Sequence, residues 1–305
     1  MTEQKMHADE VSTNLPLVRR LLLSQYPQWA ELALQLVPSA GTDNAMYRLG
    51  PDLAVRLPRI EWAVADVSKE YTWLPRLAPH LSLPIPAPLA LGQPSEDYPW
   101  PWTVYRWLDG EDATLDNIRD EHQLARDLAR FVTALHSVDT AIPAFITTPT
   151  SSRGVPLAER DEGTREAIGA CADLLDAGWM LPVWEAAVRL PPWDAPPVWI
   201  HGDLKPGNLL AKAGRLSAVI DFGGLALGDP AVDLIVAWNL LSSESRVAFR
   251  AAMNADDAMW LRGRAWALSV AVAALPYYQH TNPTLAGISR YQLGRGNLRR
   301  ELSGW

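Results

Sequence analysis

The segment 198–221 restricts the possible folds of this chain more than any other part of the sequence. It begins with a short apolar run typical of a strand, which leads directly into a His-Gly-Asp turn. Two further apolar runs, 209–210 and 216–220, flank a short polar stretch in which Gly214 suits a hairpin turn. The segment is therefore expected to form a strand, a polar loop and a β-hairpin. Its polar residues are His201, Asp203, Lys205, Asn208 and, directly after the last run, Asp221.

The order and spacing of these polar residues are typical of phosphoryl transfer. One carboxylate has to orient an attacking hydroxyl and accept its proton, and Asp203 is placed for this role. Mg²⁺ prefers hard oxygen ligands and takes few of them from protein. Asn208 and Asp221 offer such oxygens, and the hairpin between them is expected to bring both to one edge. A turn cap is the simpler interpretation of Asp203 or Asn208 alone, but the complete set is highly specific.

The same residues carry a resemblance to a known family. The strings HGDLKPGNLL, VIDFGG and GDPAVDL resemble the aminoglycoside phosphotransferase family, a branch of the protein-kinase-like fold. The resemblance implies a bilobal α+β fold, with a small β-rich nucleotide-binding lobe over residues 1–107. A larger, mainly helical lobe, residues 108–305, would then hold the catalytic and acceptor-binding residues. It also implies that Lys205 neutralises charge on the transferred phosphate and that His201 supports the loop rather than moving a proton.

A small polar loop, 39–44, lies between the first two of three strand patterns near the N-terminus. By its position in the family it would cover the nucleotide phosphates, with backbone amides around Gly41 and the side chains of Thr42 and Asn44 as contacts. Its single glycine departs from the G-x-G-x-x-G of protein kinases, and an ordinary hairpin turn is the alternative interpretation.

The third strand pattern carries Arg56 where the family usually has a lysine that binds phosphate. Arginine keeps the charge and can bind a phosphate or carboxylate with two nitrogens, but it is not equivalent to lysine. We expect Arg56 to pair with Glu70 on the following helix. Arg59 or Lys69 could take the phosphate role instead, or the Arg56–Glu70 pair could be purely structural.

The stretch PWPWTVYRWL reads as a strand that runs into a connector. In the family this strand leads to the hinge, whose backbone meets the nucleotide base, and we place the hinge near 105–108. Tyr105 and Trp107 are therefore candidates for binding the base, although core packing is the commoner role of tryptophan.

The rest of the chain predicts a helical lobe. The clearest amphipathic helix covers 120–138. Asp229 and Asp233 are expected to support the catalytic loop. Asp161, Glu162 and Glu166 would either meet ammonium groups of an acceptor or form an ordinary solvated helix face.

Composition limits the partners and the compartment. The net charge of −8 argues against a general nucleic-acid binder, which needs clustered basic residues. It fits either simple solubility or an acidic cleft for a polycationic substrate. No apolar run reaches the ~18–20 residues that cross a membrane, so no membrane partner is expected. The single cysteine, Cys171, and the polar N-terminus fit a cytoplasmic protein.

These observations predict a Mg²⁺-dependent O-phosphotransferase that uses ATP or GTP and acts on a hydroxyl of a small molecule. The resemblance favours an aminoglycoside-type antibiotic as the acceptor, and therefore a role in antibiotic resistance. The alternatives are a kinase for a macrolide or a small metabolite, and a nucleotide-binding pseudoenzyme.

Overall fold

The computed structural model of the protein describes residues 10–38, 41, 43–140, 152–294 and 297–298. The chain forms two compact units. The first contains the described residues up to 79, together with 84–109 and 218–223, and the second contains the remainder. The segment 218–223 thus belongs to the first unit although it lies far along the chain. The division into lobes at 107/108 that the sequence leads us to expect stays a prediction.

A five-stranded antiparallel sheet forms the centre of the first unit. Its elements are α1 (Leu15–Gln25), β1 (Leu34–Leu36), β2 (Asn44–Leu49), β3 (Leu53–Pro58), α2 (Val64–Leu77), β4 (Pro88–Gly92) and β5 (Trp102–Arg106). The strand order is β1-β2-β3-β5-β4, so the Pro-rich stretch before and within β4 lies at an edge, as its composition predicts. The three strand patterns expected near the N-terminus are all present.

Buried aromatic and aliphatic side chains hold this sheet and α1 together. Asn14 begins α1 by accepting a hydrogen bond from the N–H of Leu17 at 2.9 Å. Trp102 is fully buried, and its ring lies directly over Gly92 on the neighbouring strand. A Cβ at Gly92 would come within 2.0 Å of that ring, so only glycine allows this packing.

The second unit is mainly helical and contains two small groups of strands. Its elements are β6 (Glu111–Asp112), α3 (Glu121–His136), α4 (Asp161–Cys171), α5 (Met180–Val188), β7 (Val198–Ile200), β8 (Leu209–Lys212), β9 (Arg215–Val219, whose last two residues belong to the first unit), β10 (Ala226–Gly228), α6 (Val236–Asn239), α7 (Ser243–Met253), α8 (Asp257–Tyr278) and α9 (Pro283–Leu293). Strands β6, β8 and β9 form one sheet, and β7 pairs with β10.

Helix α3 has the amphipathic pattern expected for 120–138. Asp120 caps it, since its side chain accepts from the N–H of Gln123 at 2.9 Å. Leu124, Leu128 and Phe131 on its apolar face are buried. A β-rich first unit and a helical second unit confirm the predicted α+β class. Within the described ranges, every helix is too short or too polar to span a lipid bilayer.

Candidate active site

A buried carboxylate holds the start of the loop between β7 and β8, the loop that carries Asp203. Asp233 is fully buried. Its Oδ1 accepts from the N–H of Gly202 at 2.7 Å, and its Oδ2 accepts from the N–H of His201 at 3.0 Å. Nε2 of His136, the last residue of α3, lies 3.0 Å from the same Oδ2. Asp233 therefore supports the loop, as the sequence predicts.

Two more buried polar side chains stabilise the surroundings of this loop. Asn239 donates its Nδ2 to the carbonyl oxygen of Leu204 at 2.7 Å. Asp229 begins the short helix that carries Asp233, and its Oδ2 accepts from Nε of Arg262 at 2.8 Å. Both members of the Asp229–Arg262 pair are buried. Asp229 thus stabilises the short helix that carries Asp233, and its predicted support of the loop stays a prediction.

The two oxygens of the Asp203 carboxylate have different surroundings. Oδ2 accepts from Nζ of Lys205 and, at 3.1 Å, from Nδ2 of Asn208. The same Nδ2 donates to the carbonyl oxygen of Asp203 at 2.8 Å. Oδ1 instead faces Nη2 of Arg153, 3.4 Å away. His201 is fully buried, and its Nδ1 accepts from the N–H of Asp203 at 3.2 Å, which is a supporting contact within the loop.

The charges around Asp203 keep it ionised. Burial is the largest influence on the pKa of this carboxyl group and acts to raise it. The positive charges of Lys205 and Arg153 outweigh burial, so the pKa lies below its ordinary value. Asp203 is therefore an anion that can orient a hydroxyl and accept its proton.

Gly202 is the point at which the loop passes closest to its neighbours. It has φ +77°, a left-handed conformation that favours glycine. A Cβ at this position would lie 2.8 Å from the carbonyl oxygen of Gly224 and 3.2 Å from Cβ of Arg153. The glycine of the His-Gly-Asp turn is thus required both by its backbone and by the space around it.

Sequence reasoning missed Arg153. It lies near the end of the stretch 141–154, which the sequence predicts as a loop or insertion and of which only 152–154 belong to the described residues. Its neighbour Gly154 has φ +73°, and the carbonyl oxygen of Gly154 accepts from the N–H of Asp229 at 2.9 Å. No periodicity or motif marks Arg153. Its only signal was a basic residue beside a glycine, which is common in loops.

In the first unit, Asp221 has a strained backbone that nearby contacts support. Its φ of +62° lies in the left-handed region, which costs a non-glycine residue about 1–3 kcal/mol. Nη2 of Arg56 lies 3.5 Å from its Oδ1. Two residues further on, the carbonyl oxygen of Gly223 accepts from Nζ of Lys69 at 2.7 Å, and the same Nζ lies 2.7 Å from Asp66. Lys69, an alternative phosphate ligand in the sequence analysis, thus holds the segment after Asp221.

The expected pair between Arg56 and Glu70 is present and buried. Nη1 of Arg56 donates to both carboxylate oxygens of Glu70, at 2.6 and 2.5 Å. The phenol of Tyr105 donates to Glu70 Oε2 at 2.7 Å. Strand β3, helix α2 and strand β5 each supply one member of this cluster. Sequence reasoning placed Tyr105 at the hinge and missed its hydrogen bond to Glu70.

Burial and charge fix the protonation states in this cluster. Burial acts to lower the pKa of Arg56, but the charges of Glu70 and its other neighbours outweigh it, so the pKa lies well above its ordinary value. Burial and then the charge of Glu70 raise the pKa of Tyr105 well above its ordinary value. Tyr105 therefore remains a hydrogen-bond donor, and Arg56 remains a cation.

The remaining candidates for binding nucleotide lie at the start of β2 and the end of β5. Gly41 is exposed, and Thr42 lies outside the described residues. Asn44 begins β2, and its Oδ1 is buried with no hydrogen-bond partner among the described residues. Trp107 stacks under the guanidinium of Arg48 at 4.1 Å and donates its Nε1 to Asp109 at 3.0 Å. The nucleotide contacts assigned to these residues stay predictions.

The available oxygens fit a magnesium nucleotide. The buried, unpaired oxygen of Asn44 is a polar atom that a ligand can satisfy. The side chain of Asp221 is 44% exposed, and Asn208 uses its Nδ2 for Asp203, so its Oδ1 is the atom left to bind a cation. Within the described ranges, no three His, Cys, Asp or Glu residues form a metal-binding cluster. Mg²⁺ typically takes one or two oxygens from protein and completes its shell with phosphate and water.

The acidic residues expected at an acceptor site have ordinary surroundings. Asp161 accepts from Nε of Arg165 at 2.8 Å and from Nε1 of Trp184 at 2.7 Å. Glu162 and Glu166 are exposed on α4. Asp161 is thus already paired within the second unit.

Several solved structures have this fold. The GDP complex of aminoglycoside 2′-phosphotransferase-IIIa is 20% identical to the chain, with a TM-score of 0.71, and the match covers 95% of this chain and 100% of that one. The gentamicin complex of APH(2″)-IIa is 18% identical, with a TM-score of 0.60 and coverage of 93% and 96%. Macrolide 2′-phosphotransferase MphH from Brachybacterium faecium is 22% identical, with a TM-score of 0.60 and coverage of 91% and 98%. At these identities the likeness establishes the fold, and it confirms the predicted kinase-like architecture.

The match of the sequence to a family model, and not the likeness to these structures, establishes the family. Among proteins with curated functions, none has a sequence significantly similar to the chain. The model of the phosphotransferase enzyme family matches residues 35–266. This range extends from β1 into α8. It includes Asp203 with its neighbours, and also Arg56, Glu70 and Tyr105. The chain therefore belongs to the phosphotransferase enzyme family.

Proposed function

We propose that this phosphotransferase moves the γ-phosphoryl group of ATP or GTP to a hydroxyl of a small molecule. The observation that supports this best is the Asp203 carboxylate. One of its oxygens is held by Lys205 and Asn208, the other faces Arg153, and the side chain as a whole is 25% exposed. Such an anion, fixed on a rigid loop, is the group that orients a hydroxyl for attack on phosphorus.

The proposed transfer has one bond formed and one broken. The acceptor oxygen forms a bond to the γ-phosphorus while the bond from that phosphorus to the bridging oxygen breaks. The hydroxyl proton passes to Oδ1 of Asp203, and the nucleoside diphosphate leaves with the electron pair. Lys205 would stabilise the negative charge of the transferred group, which is where most of the catalysis in such reactions arises.

The remaining predicted residues would hold the nucleotide and its metal ion. Asn208 would supply an amide oxygen and Asp221 a carboxylate oxygen to Mg²⁺, which when bound would neutralise charge on the phosphates. Arg56, oriented by Glu70, would replace the usual lysine in binding phosphate. The backbone around Gly41, with Thr42 and Asn44, would cover the phosphates, and the connector at Tyr105 and Trp107 would meet the base. The sequence-defined lobes 1–107 and 108–305 would then divide nucleotide binding from catalysis and acceptor binding.

The solved neighbours suggest which compounds to test. They include complexes with GDP, ADP or ATP as the bound nucleotide, and with kanamycin, gentamicin or streptomycin as the bound antibiotic. Other neighbours are macrolide phosphotransferases. Aminoglycosides, the acceptors favoured by the sequence, belong in the first panel together with macrolides and small metabolite alcohols. An antibiotic acceptor would imply a role in resistance.

Nucleotide consumption tests the proposal. The wild-type protein is assayed with Mg²⁺ and with ATP or GTP across this panel, and Asp203→Ala is the control. Turnover that needs an acceptor and is lost in the control supports the proposal, because the substitution removes the base but no nucleotide contact. Intact nucleotide binding without turnover on any hydroxyl compound, or on water, would contradict it and favour a pseudoenzyme.

A further inference from the structure

The contacts of Asp203 restrict the direction from which a hydroxyl can reach it. Oδ2 already accepts from Lys205 and Asn208. Oδ1 has a single contact among the described residues, the 3.4 Å approach of Arg153. A hydroxyl that gives its proton to Asp203 must therefore use Oδ1. It must also bring the neighbouring atoms of the acceptor next to the guanidinium of Arg153.

Arg153 is held in this position by its surroundings. The carbonyl oxygen of Gly154 accepts from Asp229 at 2.9 Å, and Ser152 Oγ accepts from Nη1 of Arg160 at 2.8 Å. Cβ of Arg153 packs against Gly202, where any larger residue would displace it. The Arg153 side chain nevertheless remains 23% exposed. It is thus a positioned cation that solvent, and therefore an acceptor, can reach.

The charged side chains that contact the Asp203 carboxylate in the described structure are cations. Lys205 contacts one oxygen, and Arg153 lies beside the other. Arg160 binds Ser152, the residue before Arg153. Burial, and next the charge of Arg153, lower the pKa of Arg160 to about 10, so these two guanidinium groups act on each other. The carboxylate of Asp161 is paired with Arg165 rather than with either of these two guanidinium groups.

We propose that Arg153 selects acceptors that carry an anionic group, a carboxylate or a phosphate, beside the hydroxyl that is phosphorylated. The inference rests on the proposed phosphotransferase function and specifies its acceptor. A guanidinium binds an anion through two parallel hydrogen bonds. The same anion would draw Arg153 away from Oδ1 and free that oxygen for the proton. An ammonium group in this place, as on a polycationic antibiotic, would instead face a cation at short range.

The size of the effect follows from Coulomb's law. Two unit charges about 5 Å apart, at an effective dielectric constant of about 20, correspond to roughly 300-fold in affinity. Solvent reaches part of Arg153 and weakens this interaction. We therefore expect a preference of about 10-fold or more in kcat/KM for the anionic member of a matched set over the cationic one.

Two matched acceptor sets test the proposal. One is glucuronate, glucose and glucosamine, and the other is glycerate, glycerol and serinol, with kanamycin and a macrolide added. Each is assayed for phosphorylated product with the wild-type protein, Arg153→Gln, Arg153→Lys and Arg153→Glu. Arg189→Gln is the matched control, because Arg189 is a cation of the same unit that is 77% exposed and pairs only with Glu185 in the described structure. Hydrolysis of the nucleotide, with water as acceptor, is measured in every variant.

The expected result is a carboxylate preference in the wild-type protein that Arg153→Lys largely keeps, Arg153→Gln loses and Arg153→Glu reverses. Arg189→Gln should leave it unchanged. A preference for the ammonium compounds, no acceptance of any carboxylate, or a preference that Arg153→Gln does not alter would overturn the inference. Transfer to other acceptors or to water would in those cases leave the proposed function standing. Nucleotide binding with no transfer even to water would reject the proposed function itself, and the inference with it.

Discussion

Replacing Asp233 by Asn should cost about 2.5–6 kcal/mol of the free energy of unfolding and loosen the loop that carries Asp203. The buried carboxylate accepts from Gly202 on Oδ1, and from His201 and His136 on Oδ2. An Asn side chain of the same shape has one accepting oxygen and one NH₂ group. The less costly orientation places NH₂ at the Oδ2 position, since the ring of His136 can change tautomer and accept. The N–H of His201 then faces a donor.

The magnitude follows from the contacts that are lost. A hydrogen bond from a backbone amide to a charged acceptor contributes about 1.5–3 kcal/mol. Leaving the buried N–H of His201 without an acceptor costs a further ~1–3 kcal/mol. The sum is about 2.5–6 kcal/mol, a large share of the ~5–15 kcal/mol that stabilises most proteins. Because the lost contact holds the start of the loop that carries Asp203, the rate of the proposed transfer should fall as well.

Urea unfolding followed by tryptophan fluorescence measures the free energy, and Asp173→Asn serves as the control. Asp173 is exposed, so this substitution should change stability by no more than ~0.5 kcal/mol. Amide hydrogen exchange should show reduced protection at His201 and Gly202 in Asp233→Asn. A variant that unfolds within 1 kcal/mol of the wild type, with unchanged protection of these two amides, would refute the assigned role.

Two further substitutions test the supporting contacts. Glu70→Gln should cost about 3–5 kcal/mol, because it leaves the buried cation of Arg56 without its nearer counter-ion and with only the 3.5 Å approach of Asp221. Replacing both Arg56 and Glu70 by Met should cost less than the sum of the single changes, as measured by urea unfolding. Gly202→Ala should cost about 2 kcal/mol or more, from its left-handed backbone and the 2.8 Å contact with Gly224 O. Gly163→Ala is the matched control: it lies in α4 with nothing within 4 Å of the new methyl group, and it should stabilise the helix by ~0.5–1 kcal/mol in thermal unfolding. Equal effects of the two glycine substitutions would contradict the assigned packing.

Contacts between residues that are close in the sequence could be predicted well. Asp203, Lys205 and Asn208 lie within six residues of one another, so their spacing alone brought them onto one loop. Asp233 was recognised because the GDPAVDL string marks a helix start that supports this loop. The Arg56–Glu70 pair was expected from the resemblance to the family, in which the cation of this strand pairs with a glutamate on the following helix, and it is present.

Contacts over long separations could not be predicted in the same way. Arg153 reaches Asp203 across 50 residues, and Lys69 reaches Gly223 across 154. Neither contact has a sequence pattern, because it depends on how separately formed elements pack. The hydrogen bond from Tyr105 to Glu70 was missed for a related reason. The position of Tyr105 along β5 was clear. Its partner Glu70 lies on α2, however, and the way α2 packs against β5 has no signal in the sequence.

Mass spectrometry of the acceptor tests the central proposal most directly. The wild-type protein and Asp203→Asn are incubated with Mg²⁺, ATP or GTP and the acceptor panel, and phosphorylated products are identified. Asn keeps the shape of Asp203 but cannot take up the hydroxyl proton as a carboxylate does. A phosphorylated small molecule formed by the wild type, and at least ~100-fold more slowly by Asp203→Asn, is the expected result. Equal product formation by both proteins would contradict the role of Asp203, and nucleotide binding without any product would contradict phosphoryl transfer itself.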